Sequence, residues 1–278
     1  MTDSRLYTVT AIILRSRDYG EGHRLFSLLT REEGKIVAVA RGVRKPKAKL
    51  AASLQHFALA EVQLAPGRRF DVITHVRVLN AFYGLRASIE AVSYASYFAE
   101  LFDESLAERQ PHPALFDLLT DALQHLAAGK APELLARYVE ISLIALAGYL
   151  PQLTACAVCQ CPLAHVDAED RTVWPTWLGF SVSQGGALCT DCLPKVPGAR
   201  RIAAGTVQVA QLLLAKGMDC LDALDLSDRL RREIETTFRD YLEYRLERRL
   251  HSTRFLRDWG DGRGDIVDQE DMRTVPHA

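Results

Sequence analysis

The chain has 278 residues, 48% of them hydrophobic and 25% charged, enough apolar material to bury the core of one large domain or two smaller ones. Its formal net charge of -1 hides an asymmetry: residues 1–86 carry 15 Lys and Arg against 7 Asp and Glu, a net of +8, and the remainder carries 19 against 28, a net of -9. No apolar run approaches the roughly 18 residues of a membrane span and the N-terminus lacks a signal-peptide pattern, so a soluble, cytoplasmic protein is expected.

Residues 5–82 read as five strands, because β-branched and aromatic residues recur in short runs bounded by turn signals. The first spans about Leu6 to Arg17, before Asp18-Tyr19-Gly20. His23 to Thr30 is separated from Lys35 to Arg41 by Glu32-Glu33-Gly34. A fourth covers about Phe57 to Leu64. After the Pro66-Gly67 turn, a fifth runs from Phe70 to Leu79 with Phe70, Val72, Val76 and Val78 expected on one face. Five strands in this length suit a small closed barrel, either an OB-fold or an SH3-like barrel, which strand counting does not separate.

Between the third and fourth strands lies RGVRKPKAK, with Arg41, Arg44, Lys45, Lys47 and Lys49 in nine residues and no acid among them. Gly42 and Pro46 oppose a regular element there, so an exposed basic loop is expected. Taken alone, such a run is usually just a solvated loop. Its setting in a cationic module favours a polyanion contact.

From about Ala87 the apolar period lengthens to 3.6. Tyr94, Tyr97, Phe98, Leu101, Phe102 and Leu106 form one helical stripe, and Leu115, Leu118, Leu119, Ala122, Leu123 and Leu126 a second before Gly129. A third helix opens at Pro132 and carries Leu135, Tyr138, Ile141 and Leu146. After a cysteine-rich segment at about 153–197, a short helix runs from Ala203 to Lys216. A long one starts with Ser227 as N-cap and buries Leu230, Ile234, Phe238, Tyr241 and Leu242. Arg245, Arg248, Arg249 and His251 then fall where the helix dipole favours cations. The expected organisation is a barrel domain over 1–82, a helical domain over 83–258 with a four-cysteine insertion, and a disordered tail over 259–278.

Cys156-x2-Cys159 and Cys189-x2-Cys192 can deliver four thiolates to one tetrahedral cation, which points to a closed, structural zinc site. The 29 residues between the pairs exceed the usual 15 to 20 or so, so the insert should form small strands around Trp174, Trp177 and Phe180. Cys161 is a substitute ligand, and Cys220 reads as a buried thiol. No thioredoxin-like βαβ context surrounds either pair. His165-Val166-Asp167 and Leu188-Cys189 break the zinc-deaminase pattern. Walker, Gly-x-Ser-x-Gly and His-Glu-x-x-His motifs are lacking. Asp167, Glu169 and Asp170 could hold magnesium but read better as a solvated acidic loop. Binding without catalysis is the expectation.

The order of parts resembles the bacterial RecO family of DNA-repair and recombination mediators. The likeness covers most of residues 5–258. It rests on Ile13-Leu14-Arg15 with Asp18-Tyr19-Gly20-Glu21, Leu28-Leu29-Thr30 with Gly34, Ala40-Arg41-Gly42-Val43-Arg44, Leu54-Gln55-His56-Phe57, Glu140 with Ala147-Gly148-Tyr149-Leu150-Pro151, and Ser252 to Leu256. It implies an OB-fold, binding of single- and double-stranded DNA and annealing of complementary strands. It further implies partnership with RecR in helping RecA replace single-stranded DNA-binding protein, contact with that protein's C-terminal tail, and association with the nucleoid. Arg41, Arg44, Lys45, Lys47 and Lys49 are then the expected phosphate contacts, extended by Arg15, Arg24, Arg68 and Arg69. Arg137 is a candidate for the tail carboxylate. An RNA-binding barrel protein and a phosphodiester-cleaving enzyme are the alternatives.

Overall fold

A computed structural model describes residues 6–45, 50–167, 169–247 and 250. Five strands, β1 (Tyr7–Tyr19), β2 (His23–Thr30), β3 (Gly34–Ala40), β4 (Leu59–Ala65) and β5 (Asp71–Asn80), close into a barrel of order β1-β2-β3-β5-β4. All its pairings are antiparallel except β3 with β5, and β1 closes the barrel on β4. This Greek-key closure resolves the two barrel readings in favour of the OB type.

The barrel interior is filled by alternate residues: Val9, Ala11 and Ile13 of β1, Phe26 and Leu28 of β2, Ile36 and Ala38 of β3, and Val62 and Leu64 of β4. In β5 the expected single face of Phe70, Val72, Val76 and Val78 does not form. Val76 pairs with Val62 but Ile73 pairs with Leu64, so one extra residue is accommodated at Thr74. A bulge of this kind switches the phase of the pleat. Ile73 and Val76 therefore both point inward, which turns Val72 off the face of Val76; Val78, two residues past Val76, is exposed near the end of the strand.

Ala11, Ile12, Ile13 and Leu14 are all buried in succession, which a strand with one wet face cannot achieve. The reason lies on the outside of the barrel. Ile12, Leu14 and Leu29 join the same apolar cluster as α1 (Ile89–Ser105), α2 (Pro113–Ala127) and α3 (Pro132–Leu146). Both helical stripes expected from the sequence are buried, with Tyr97, Phe98, Leu101 and Phe102 at the centre. The third helix differs from expectation. It is buried from Leu134 to Ile144 except for half-buried Tyr138, and Leu146 at its end is exposed.

The cysteine segment forms β6 (His165–Val166), β7 (Thr172–Val173), β8 (Trp177–Ser181), β9 (Gly186–Leu188) and β10 (Arg200–Ala203), in a two-stranded and a three-stranded sheet. It packs beside α4 (Ala204–Lys216) and is docked on α5 (Asp228–Leu246) by Phe180, whose ring meets Phe238 and Tyr241 edge-on at 6.1 and 5.8 Å. Ser227 caps α5 as expected by accepting from Leu230 N–H. The predicted tail over 259–278, the STRFL segment at Ser252 to Leu256, and Arg248, Arg249 and His251 lie outside the described residues.

Barrel and helices are pinned together by polar contacts as well. The segment between α1 and α2 donates Arg109 N–H to Lys35 C=O at 2.9 Å. Gly34 approaches Gln110 so closely that an added Cβ would fall 2.2 Å from the Gln110 carbonyl oxygen. Buried Asp71 accepts from the Tyr7 hydroxyl at 2.5 Å, from the Arg109 guanidinium, and from Gly67 N–H at 3.2 Å. Burial opposes ionisation of Asp71, but these donors outweigh it and hold its carboxyl below the usual aspartate range. Its contribution to stability is therefore complete above the ordinary aspartate pKa of about 4 and disappears as pH falls through the lowered folded value. Asp71→Asn should cost about 1–2 kcal/mol at pH 7, and the stability difference from the parent should shrink in acid. Denaturant unfolding at several pH values checks this, and a difference independent of pH would refute it.

Candidate nucleic-acid interface and metal centre

Three barrel connections converge. The β1–β2 turn is tied to the start of the basic loop by Arg44 N–H to Gly22 C=O at 3.2 Å and Gly42 N–H to His23 Nδ1 at 2.9 Å. Asp18, just before that turn, pairs with Arg24 at 3.0 Å and Arg44 at 3.2 Å. The hydrogen bond from Arg24, reinforced by the nearby charge of Arg44, holds the Asp18 carboxyl below its usual range. The β4–β5 loop joins them through Phe70, which meets Tyr19 edge-on at 5.7 Å and carries Arg69 over its ring at 5.2 Å.

Of the expected phosphate contacts, Arg41, Arg44 and Lys45 are exposed at the start of the basic loop, Arg24 stands beside them, and Arg68 and Arg69 project from the β4–β5 loop. Arg41, Lys45 and Arg68 have no acidic partner among the described residues. Lys47 and Lys49 lie outside the described residues. The loop is anchored as well as charged, since Val43 and Leu54 are buried in the barrel core and Leu50 packs on it.

Arg15 is placed differently. It lines a groove of about 270 Å³ on the outer face of β1, β2 and β3, with Arg17, Leu25, Ser27, Lys35 and Val37 as floor and rim and Asp103 of α1 as wall. Asp103 pairs with Arg15 at 3.0 Å and Lys35 at 3.8 Å and accepts from Ser27 Oγ at 2.5 Å. The charge of Arg15 is thus partly answered within the chain. Sequence reading missed Tyr19, Phe70 and Arg17. The available signal was an aromatic at each rim of the two loops that OB-folds use for oligonucleotides, since stacking on such rings is insensitive to base identity.

In the insert, the Sγ atoms of Cys156, Cys159, Cys189 and Cys192 lie within 4.8 Å of one another, with Cys156 and Cys192 buried and Cys159 exposed. The Cys159–Cys189 separation of 3.7 Å matches the edge, roughly 3.8 Å, of a tetrahedron with 2.3 Å metal–sulfur bonds. The Cys161 backbone N–H, together with its thiol, holds the Cys159 thiol down to about 6. Crowding by neighbouring thiols and burial push Cys192 up to about 12. Four thiolates cannot share this volume without a cation between them, so the donor set fits a soft divalent metal. In the acidic loop Asp167 accepts from Glu169 N–H, Arg171 N–H and the Arg171 guanidinium, and Glu169 also pairs with Arg171, so two of its three carboxylates are already answered by donors of the chain. Cys220 is half-buried and donates to Gly217 C=O at 3.2 Å.

Arg137 is buried against Glu140, at 2.7 Å, and lies 3.9 Å from Glu235. The Tyr97 hydroxyl also donates to Glu140. Two Arg137 nitrogens, Nε and Nη1, have no hydrogen-bond partner. Burial raises the Glu140 carboxyl above its usual range, although Arg137 and Tyr97 act against that.

Two family models match the chain, "Recombination protein O N terminal" over residues 1–82 and "Recombination protein O C terminal" over residues 86–254. The "DNA repair protein RecO" of Pelotomaculum thermopropionicum is 38% identical over 256 residues, covering 92% of this chain and 95% of that protein. Proteins of the same description from Desulforamulus reducens and Symbiobacterium thermophilum are 33% and 35% identical, covering 91% and 90% of this chain and 94% and 96% of theirs.

Removing one member of a buried ion pair leaves the other uncompensated. Arg137→Ala should therefore destabilise the chain by about 3–5 kcal/mol, and Arg137→Ala with Glu140→Ala should recover part of that loss. Denaturant midpoints of the two variants check this, and a cost typical of an exposed arginine would refute the burial.

Proposed function

The chain belongs to the bacterial RecO family of DNA repair proteins, and from that membership we propose that it anneals complementary DNA strands as a recombination mediator, with residues 1–82 as its DNA-binding domain. The observation that carries the proposal is the convergence of the β1–β2, β3–β4 and β4–β5 connections on one cationic, aromatic-bearing rim. Annealing requires two mutually repelling backbones to be neutralised while the bases stay free to pair. Exposed cations on the connection between two strands do this without reading sequence. Arg41, Arg44 and Lys45 supply the primary phosphate contacts with Lys47 and Lys49. Arg24, Arg68 and Arg69 extend them, and Tyr19 and Phe70 offer faces to unpaired bases. Arg15 contributes once phosphate competes with Asp103 for it. No bond is made or broken in pairing, so the role is one of binding.

The family resemblance further supports partnership with RecR and assistance to RecA on DNA coated by single-stranded DNA-binding protein. For the C-terminal tail of that protein Arg137 stays the candidate cation, but its nitrogens are buried beside Glu140, so a tail carboxylate would engage them only where the cover over α3 opens. No helix among the described residues is long and apolar enough to cross a membrane, in keeping with a role on DNA in the nucleoid. Zinc is the cation proposed for the four cysteines, held by Cys156, Cys159, Cys189 and Cys192. It would serve as a structural clasp, since a closed four-thiolate shell leaves no open coordination position.

Replacing Arg41, Arg44 and Lys45 together by alanine should weaken binding to all single-stranded sequences alike and reduce the slope of log affinity against log salt by about 2. Fluorescence anisotropy across a salt series checks this. A loss confined to particular bases would contradict backbone contact, and preference for structured RNA or magnesium-dependent cleavage would replace the mediator reading. Metal analysis should find about one zinc per chain. Stripping it should lower the thermal midpoint while leaving the barrel's salt-dependent binding in place; a folded, chelator-free sample with far less zinc would remove the metal from the proposal.

A further inference from the structure

Cys161 lies outside the set of four thiols but against it. Its Sγ is 3.3 Å from that of Cys159, and it also interacts with the thiol of Cys189. Local backbone geometry brings it there. Gln160 N–H donates to Cys156 C=O at 3.0 Å, Cys156 N–H donates to Cys161 C=O at 2.8 Å, and Gln160 between the two cysteines sits at φ 62°. That left-handed residue is not glycine, so the turn carries some strain. It folds the chain back so that half-buried Cys161 lies against exposed Cys159, in a cluster whose Cys156 and Cys192 are buried.

From this arrangement we propose that Cys161 is an interchangeable ligand of the metal centre, taking the coordination position of Cys159 when that thiolate leaves. The inference rests on the metal reading of the four cysteines and adds a fifth group to it. The two sulfurs exclude one another as simultaneous ligands. At 2.3 Å from one metal, sulfurs 3.3 Å apart would subtend only about 90°, far below the tetrahedral angle. In each state one thiolate binds and the other, as a thiol, donates its S–H to it. Exchange moves one proton from Cys161 to Cys159 and replaces one metal–sulfur bond by another, so charge and bond count are unchanged. Cys156, Cys189 and Cys192 stay in place. Cys159 and Cys161 both lie on the accessible side, so the swap needs no rearrangement of the buried pair.

Cobalt(II) titration of the full chain reads the outcome, because thiolate-to-cobalt charge transfer scales with the number of bound thiolates. Cys159→Ser and Cys161→Ser should each keep the four-thiolate spectrum of the parent. Only the double variant should lose about a quarter of the charge-transfer intensity and roughly tenfold or more in metal affinity against a chromogenic chelator. The proposal is overturned if Cys159→Ser alone already matches the double variant, or if Cys161→Ser alone loses a thiolate. A second measurement uses the unaltered protein. Iodoacetamide labelling of the zinc-loaded chain, read by fragment-ion mass spectrometry with Cys220 as internal reference, should divide a single label between Cys159 and Cys161. Label confined to Cys161 overturns the exchange. A parent chain that binds no metal overturns it too, and places the failure in the metal reading before any variant is made.

Discussion

The structure depends on one strand having to satisfy two cores. β1 sends Val9, Ala11 and Ile13 into the barrel and Ile12 and Leu14 into the helical bundle. Its middle therefore has no wet face, and the apolar surface of the helices is closed by the outside of the barrel. A barrel and a bundle sharing a strand in this way cannot each be complete alone. The polar contacts at the seam follow from the same constraint. Asp71 and Asp103 are carboxylates caught between the two packed layers: Asp71 is balanced by Tyr7 of the barrel and Arg109 of the helical side, and Asp103 of α1 by Arg15, Lys35 and Ser27 of the barrel.

This seam also shapes the electrostatics of the barrel. The module is strongly cationic in sequence, but its positive charges are not equally available. Those facing α1 are answered by Asp103, and Arg24 and Arg44 share Asp18. Arg41, Lys45 and Arg68 stand away from the seam with no acid beside them among the described residues. Availability to phosphate thus falls from the loop rim toward the helices. Exposed ion pairs are individually weak, worth a fraction of a kcal/mol to about 1 kcal/mol, so a polyanion can displace Asp18 more readily than it can reach into the half-buried network around Asp103.

The cysteine element obeys a different constraint, the crowding of thiols. Its β8 and β9 give Leu178, Phe180, Ala187 and Leu188 to the apolar cluster of the helices, and it is held by Phe180 against α5 on one side and by the sulfur cluster on the other. Small units of this kind rely on a staple. The staple here is surrounded by one more sulfur than a tetrahedral cation can bind.

Much of this was legible in the chain. Strand and helix positions follow from the change of apolar period at about residue 87, the helix starts from Pro132 and Ser227, the four-cysteine cluster from two Cys-x2-Cys pairs, and the basic loop from its uninterrupted charges, because each is local and written in consecutive residues. What needed the folded chain was everything set by partners distant in sequence. The parallel pairing of β3 with β5 distinguished one five-stranded barrel from another. The bulge at Thr74 set Val72 and Val76 on different faces. Arg137 proved buried because α3 is covered on nearly all sides, and Arg15 proved paired because α1 ends beside it. Tyr19 and Phe70 are 51 residues apart and form one rim only when the barrel closes. Periodicity reports which face of an element is apolar; which element covers that face, and which charge it brings along, is decided by tertiary packing.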